Sequence, residues 1–121
     1  MKKVHISSAT GAAAIAHTLT ATGRGLHVSR YSVKFGTKPT TTPENITITV
    51  DAAAGAAYDQ VYDTVDPGSE SAAGDGSFTY IYLGPDSKGI DLAPGDVLTV
   101  AYVNTDTETY GSSIYHTEGA G

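Results

Sequence analysis

Short runs in which apolar and polar residues alternate are the feature that most constrains the fold of this chain. The clearest run is Ile46-Thr-Ile-Thr-Val50, where an apolar side chain recurs at every second position. Because successive side chains of a β-strand point to opposite faces, this pattern predicts a strand with one buried and one solvated face. Other runs typical of strands, not all of them strictly alternating, lie at residues 3–7, 17–22, 25–35, 58–65, 78–83, 97–103 and 110–116.

Turn-forming residues separate these runs. Residues 66–77 are a polar, glycine-rich loop, and Pro94-Gly-Asp96 is a tight turn. Residues 36–45 contain two prolines and four threonines, which indicates an extended connection. Seven or eight short strands without a long helical pattern predict an all-β fold, an antiparallel β-sandwich with a jelly-roll or an immunoglobulin-like strand order. The length of 121 residues fits one such domain, spanning residues 1–121.

Two segments admit more than one local structure. Residues 12–16 are mostly alanine and would suit a short helix, but residues 17–22 return to alternation. We therefore favour a loop followed by a strand, with a short helix as the alternative. Residues 97–103 are apolar on both faces, which predicts a central strand covered on both sides.

The run at residues 25–35 changes its phase. Its apolar residues are Leu26 and Val28, and then Tyr31, Val33 and Phe35. A β-bulge at residues 29–30 would turn both halves towards one core, because one inserted residue switches the inward face. The alternative is a strand that is buried on both faces.

Charge and composition argue against several classes of partner and site. Thirteen acidic and seven basic residues give a net charge of −6, so we expect no binding to nucleic acid. The longest apolar stretch, residues 11–16, is too short to span a membrane. Polar residues interrupt residues 4–16, so we expect no signal peptide and synthesis in the cytoplasm. The absence of cysteine excludes disulfides and thiol-based sites.

The four histidines, His5, His17, His27 and His116, are the first candidates for a metal ligand or a general base. No two of them lie within four residues of each other, and no HxH or HExxH spacing occurs. His5, His27 and His116 each fall in a predicted strand, so two of them could meet across a ladder. We nevertheless expect no metal-binding, cofactor-binding or catalytic residue, and we expect the histidines on solvated strand faces or at a subunit contact.

Carboxylates near turns raise the possibility of a calcium site or an acid/base pair. They are Asp59, Asp63 and Asp66, which lie close together in sequence, and Asp75, Asp86, Asp91, Asp96 and Asp106. Turn aspartates usually accept hydrogen bonds from their own backbone, and the EF-hand pattern is absent. An acid/base pair would need a cleft that a small sandwich with short loops does not offer. No nucleophile or phosphate-loop motif occurs either, so we expect no enzyme, while calcium bound by these loops stays open.

Tyrosine is the remaining signal, with eight copies beside two phenylalanines and no tryptophan. Each tyrosine hydroxyl needs a partner or water, so not all of these residues can be core. Some are expected at a protein interface, where tyrosine is enriched. The candidates are Tyr58, Tyr62, Tyr80, Tyr82, Tyr102, Tyr110 and Tyr115. Sugar binding is the competing use, although such sites rely on tryptophan. Asn45-Ile-Thr47 matches a glycosylation sequon, but we expect Thr47 to be an outward strand residue.

One stretch resembles a known class of virion protein. The run Ile90-Asp-Leu-Ala-Pro-Gly-Asp-Val-Leu-Thr-Val-Ala-Tyr-Val-Asn-Thr-Asp106, closing with Tyr110-Gly111, resembles the C-terminal half of small β-sandwich virion proteins of tailed bacteriophages. The cysteine-free composition and the proline-bearing linker at residues 37–43 are similar in style. The group that it resembles is the capsid decoration (cement) proteins, which are small jelly-roll or immunoglobulin-like domains, often trimers, seated between major capsid protein subunits. No ligand or catalytic residue follows from this resemblance.

The resemblance implies a non-enzymatic structural protein on the capsid surface of a virion. Its partners would be itself, as a homotrimer, and a major capsid protein. Residues 1–10, residues 111–121 or the 39–43 connection would reach across a subunit boundary, and many weak contacts would act together on one shell. A phage tail or neck component is the alternative within this class. The alternative from another class is a glycan- or cell-surface-binding module, with loops around residues 59–75 as its calcium-dependent site.

Overall fold

A computed structural model describes residues 3–119 of the chain. Nine β-strands and three single-turn 3₁₀ helices make up its secondary structure. Within residues 3–119 there is no α-helix. The strands are β1 (His5–Gly11), β2 (Ile15–Thr20), β3 (Leu26–Phe35), β4 (Ile46–Asp51), β5 (Gln60–Val65), β6 (Phe78–Tyr82), β7 (Ile90–Leu92), β8 (Val97–Tyr102) and β9 (Tyr110–Glu118).

The strands form two antiparallel sheets that enclose one core. Sheet A has the order β1-β9-β3-β6, with β7 also paired to β3, and sheet B has the order β2-β8-β4-β5. The chain changes sheets at nearly every connection, and only β4–β5 and β6–β7 stay within one sheet. This is the strand order of a jelly roll, not the ABED and CFG division of an immunoglobulin domain. The predicted all-β antiparallel sandwich is therefore confirmed.

The number of strands differs from the prediction of seven or eight. Residues 83–89 interrupt one edge position of the jelly roll, so that β6 and β7 both pair with β3. Gly84 and Gly89 in this interruption have φ of 83° and 77°. A Cβ atom on Gly89 would lie 2.5 Å from the carbonyl oxygen of Val28. Glycine alone fits this position, so the extra break is encoded locally.

The predicted β-bulge is confirmed. The register of β3 against β9 shifts between Val28, opposite His116, and Arg30, opposite Tyr115. As a result, the apolar residues on both sides of the bulge face the same core, where Leu26, Val28, Tyr31, Val33 and Phe35 are all buried. The alternative of a strand buried on both faces is wrong.

The loop-then-strand prediction for residues 12–22 is also confirmed, because β2 begins at Ile15. The alternative of a short helix is wrong. Ile15 and His17 are buried while Ala16 and Thr18 are exposed, a period of two that a helix cannot satisfy.

The prediction that β8 is covered on both sides is wrong. β8 is central in sheet B, between β2 and β4, and Leu98, Val100 and Tyr102 are buried against the core. The alternate residues of β8, which include Val97 and Ala101, point away from the core and are only partly buried. These side chains lie on the outer face of sheet B, which no other element of residues 3–119 covers.

The two terminal segments are largely strands of sheet A. β1 pairs with β9 along its whole length, from His5 opposite His116 to Gly11 opposite Tyr110. The parts of segments 1–10 and 111–121 that fall on residues 1–2 and 120–121 lie outside the described residues. The use of these segments in assembly stays a prediction.

Candidate functional site

The histidines occupy three separate environments. His5 and His116 face each other across the β1–β9 ladder with ring centroids 5.7 Å apart, which confirms that two strand histidines meet. His27 Nδ1 lies 2.7 Å from a carboxylate oxygen of Asp91 in β7. His17 lies between the sheets. Residues 3–119 contain no group of three or more histidine, aspartate or glutamate side chains that could hold a metal ion.

The expectation that the histidines are solvated or at a subunit contact is wrong for His17. Its Nε2 lies 3.0 Å from Ser7 Oγ, and its Nδ1 lies 2.8 Å from Ser112 Oγ. Ser112 Oγ lies 2.9 Å from the Tyr31 hydroxyl, so a chain of hydrogen bonds links sheet B to β1, β9 and β3 of sheet A. Burial lowers the pKa of His17, so it is neutral at pH 7. His17 and Ser112 are buried, and Ser7 in β1 is partly buried.

Sequence reasoning missed this bridge between the sheets. The one sequence feature that could have indicated the burial of His17 is its place two residues after Ile15, because residues two apart in a strand face the same side. Its partners Ser7 and Ser112 are 10 and 95 residues away, and nothing in their local sequence distinguishes them from solvated serines.

The loop aspartates accept hydrogen bonds from backbone donors. Asp66, Asp75 and Asp96 each accept from an N–H group within three residues, which is the ordinary behaviour of turn aspartates. Asp59 and Asp66 lie at opposite ends of β5, so a strand of roughly 20 Å separates two residues that are close in sequence. Asp59 and Asp66 are therefore too far apart to bind one calcium ion together.

One end of the sandwich carries a loop cluster, formed by residues 38–44, 66–68 and 104–106. Lys38 Nζ donates to the carbonyl oxygens of Pro39 at 2.8 Å and of Gly68 at 3.1 Å. The Lys38 ammonium thus supplies the positive charge at the centre of these loops. The pKa of Asp66 is lowered mainly by the hydrogen bond from the Thr42 hydroxyl, and the charge of Lys38 adds to this effect.

Asp106 ties the loop cluster together. Its Oδ2 accepts from the N–H groups of Thr40 at 2.6 Å and Thr41 at 2.9 Å, and its Oδ1 accepts from the Thr41 hydroxyl at 2.6 Å. These bonds, led by the Thr41 hydroxyl, lower the pKa of Asp106 to about 2. The connection at residues 39–43 is therefore held against its own domain by the loop that links β8 to β9.

We expect Asp106→Asn to lower the melting temperature at pH 7, because the amide accepts these hydrogen bonds less strongly than a carboxylate. The folded pKa of about 2 lies below the ordinary value of 3.8, so ionised Asp106 stabilises the fold above about pH 4. This contribution is lost as the pH falls towards 2. Thermal unfolding followed by circular dichroism at pH 7 and at pH 2.5 measures the difference between variant and parent.

Asp86→Asn in the exposed 85–87 turn serves as the matched control and should leave the melting temperature nearly unchanged. An Asp106→Asn deficit that is equally large at pH 7 and at pH 2.5 would contradict this account.

The tyrosines divide between the core and the surface. Tyr102 and Tyr110 are buried, and Tyr62, Tyr80 and Tyr82 pack partly against the core. Tyr58 is exposed. The Arg30 guanidinium lies 4.1 Å from the ring centroid of Tyr115 on the outer face of sheet A. Of the seven candidates, Tyr58 and Tyr115 are thus the ones best placed to meet a partner.

Exposed apolar side chains follow the edges of the two sheets. Residues 3–119 expose seven large apolar side chains, and six of these lie on or beside the edge strands β1, β5 and β6. They are Val4 and Ile6 at β1, Tyr58 and Val61 at β5, and Ile81 and Leu83 at β6. β1 and β6 contain no Lys, Arg, Asp or Glu, and β5 contains Asp63 alone. Natural edge strands are usually guarded by charges, so these three edges are open to pairing with another chain.

A shallow groove of about 280 Å³ adds to this surface. It lies at the start of β2 and β4 and the end of β8, and apolar groups form most of its lining, which includes Ala14, Ala101 and the exposed Val103. Its lining contains no carboxylate, histidine or serine. The groove suits an apolar side chain of a partner, and the polar side chains in its lining are Asn45, Thr47 and Tyr102.

No protein-family model matches the chain, and no curated protein matches it significantly. Among residues 3–119, no helix has the length and apolar character needed to cross a membrane. The geometry of the sheet edges and the sequence resemblance of residues 90–111 are therefore the basis for a functional proposal.

Proposed function

We propose that this chain is a non-enzymatic virion structural protein. Its most specific form is a capsid decoration protein of a tailed phage, which associates with itself and clamps neighbouring major capsid protein subunits. The observation that carries this proposal is the set of three nearly uncharged edge strands with exposed apolar side chains. In a monomer such edges favour aggregation, whereas in an assembly a neighbouring subunit can cover them.

The jelly roll is compatible with this role, but it does not decide the matter, because jelly rolls serve both viral capsids and lectins. The loops give the lectin alternative little support. Asp66 and Asp75, at the two ends of the polar loop, are occupied by backbone donors. Within residues 3–119 no three histidine, aspartate or glutamate side chains come together in a way that could hold a calcium ion at these loops.

The size of the domain is sufficient for such contacts. A specific interface covers roughly 800 Å² of each partner. The described chain exposes 6466 Å², so a single neighbour would cover about an eighth of it. One edge strand with its outward side chains provides part of that area, and repetition around a shell compensates for weak individual contacts.

Binding to capsids tests the proposal directly. The purified protein is mixed with empty capsids assembled from the major capsid protein of the same genome, and sedimentation separates bound from free chain. We expect saturable binding at a fixed ratio to capsid subunits that calcium chelation does not change. Binding to tails or necks instead would replace the decoration role, and calcium-dependent binding to glycans with no binding to virion parts would overturn the proposal.

Self-association should depend on β6. We expect Ile81→Lys to weaken it at least about tenfold without lowering the melting temperature, because a charge replaces an exposed apolar side chain that would become buried between copies. Light scattering across a concentration series, combined with thermal unfolding, measures both effects.

Thr18→Lys adds the same charge to an exposed position on β2, an edge strand without an exposed large apolar side chain, and should leave association unchanged. Equal association of the parent and the Ile81→Lys chain would remove β6 from the interface.

A further inference from the structure

β1 is the least anchored strand of the jelly roll. None of its seven residues, all of which the structure describes, is buried, whereas its partner β9 buries Tyr110, Ser112 and Ile114. The two large apolar side chains at this edge, Ile6 in β1 and Val4 just before it, are more than half exposed. The core therefore gains little apolar burial from β1.

Three kinds of contact hold β1 in place. They are the seven-pair ladder to β9, the stacking of His5 on His116, and the hydrogen bond between Ser7 Oγ and His17 Nε2. Each of these contacts joins β1 to a fixed position in the rest of the domain. None of them requires β1 to come from the same chain.

The connection between β1 and β2 is short and weakly closed. Residues 12–14, all alanine, are exposed and link sheet A to sheet B. No backbone–backbone hydrogen bond closes this connection within the described chain. A side-chain amide holds it, since Asn104 Nδ2 donates to the Ala13 carbonyl oxygen at 2.9 Å. Short hinges of this kind favour exchange of a terminal element between copies.

We infer that β1 is exchanged between copies of the chain, so that β1 of one subunit pairs with β9 of its neighbour. This inference rests on the self-association in the proposed function and adds β1 to the β6 edge as a second element that takes part in it. Exchange keeps the ladder, the histidine stack and the bond to His17, because the neighbour supplies identical partners. In addition, it brings Val4 and Ile6 to a subunit boundary, where their exposed surface can be covered.

Disulfide trapping tests this exchange, since the chain has no cysteine of its own. Ser8 and Ser113 are direct partners across the β1–β9 ladder, at a separation that a disulfide can bridge. One batch carrying Ser8→Cys and another carrying Ser113→Cys are mixed in urea, refolded together and oxidised. We expect a covalent dimer that joins the two different chains, detected on a non-reducing gel and assigned by peptide mass spectrometry.

The matched control is the pair Thr18→Cys and Thr99→Cys, which face each other between β2 and β8. β2 is anchored in the core by Ile15 and His17, so this mixture should give no joined chains. The two substitutions placed together in one chain should form a disulfide within that chain.

The double variant Ser8→Cys/Ser113→Cys separates the remaining outcomes. A disulfide only within single chains, in a protein that light scattering shows to be oligomeric, overturns the exchange and leaves self-association standing. The same disulfide in a monomer overturns both. Absence of any disulfide would mean that β1 does not pair with β9, which also overturns the exchange.

Discussion

Replacing Phe35 with alanine should lower the free energy of unfolding by about 3–5 kcal/mol. Phe35 is fully buried at the end of β3, and its ring lies 5.6 Å from that of Tyr102 and 6.4 Å from that of Tyr110. It therefore joins the two sheets, and the surrounding strands cannot collapse into the space it leaves. A domain at the lower end of the usual range of about 5–15 kcal/mol would come close to unfolding. Urea denaturation followed by circular dichroism measures the loss.

The same truncation at the surface provides the control. Val103 is 67% exposed, so Val103→Ala should change the unfolding free energy by less than about 0.5 kcal/mol. A cost below about 1 kcal/mol for Phe35→Ala would contradict the position of this ring at the centre of the core.

The protein should lose stability as the pH is lowered from 7.5 to 5, and His17 should account for much of the loss. Burial lowers the pKa of folded His17 below its ordinary value of 6.5. The unfolded chain therefore takes up a proton more readily, so the stabilisation is complete above about pH 6.5 and is lost as the pH falls. Each unit of difference between the two pKa values corresponds to about 1.4 kcal/mol. The pKa of His116 is lowered by burial and by the charge of His5, which acts in the same direction.

His17→Gln isolates this contribution. Glutamine does not titrate, so we expect a flatter dependence of stability on pH between 7.5 and 5. It also fits the bridge between Ser7 and Ser112 less well, and a hydroxyl left unsatisfied in the core costs about 1–3 kcal/mol at pH 7.5. Urea titrations at several pH values give both quantities. A variant with the parental slope would show that other groups cause the acid sensitivity.

Local patterns were sufficient to predict most of the strands. The alternation at residues 46–50 corresponds to β4, and the parity change after Val28 identified the bulge, because both effects involve neighbours in sequence. The interpretation of β8 failed for a physical reason. Apolar residues on both faces indicate where a strand can be covered, but nothing in β8 itself shows that sheet B has no second layer outside it within residues 3–119.

The candidate surface was harder to predict than the fold. Ile81 alternates like any strand residue, and it becomes an exposed edge residue only because β6 is outermost in sheet A. Asp106 accepts hydrogen bonds from Thr40 and Thr41, which lie about 65 residues away in sequence. His17 is held in place by Ser112, which lies 95 residues away. Turn aspartates were predictable because their partners lie within three residues.

The direct opposition of His5 and His116 has a further consequence for engineering. A short linker from residue 119 to residue 3 would join β9 to β1 as a hairpin, and new ends could open in the exposed polar loop at residues 71–73. Such a circular permutant keeps every strand pair but ties β1 covalently to its own β9. This variant would have the same surface but could not exchange its first strand. Its self-association, compared with that of the parent chain, would separate the contribution of the exposed edges from that of strand exchange.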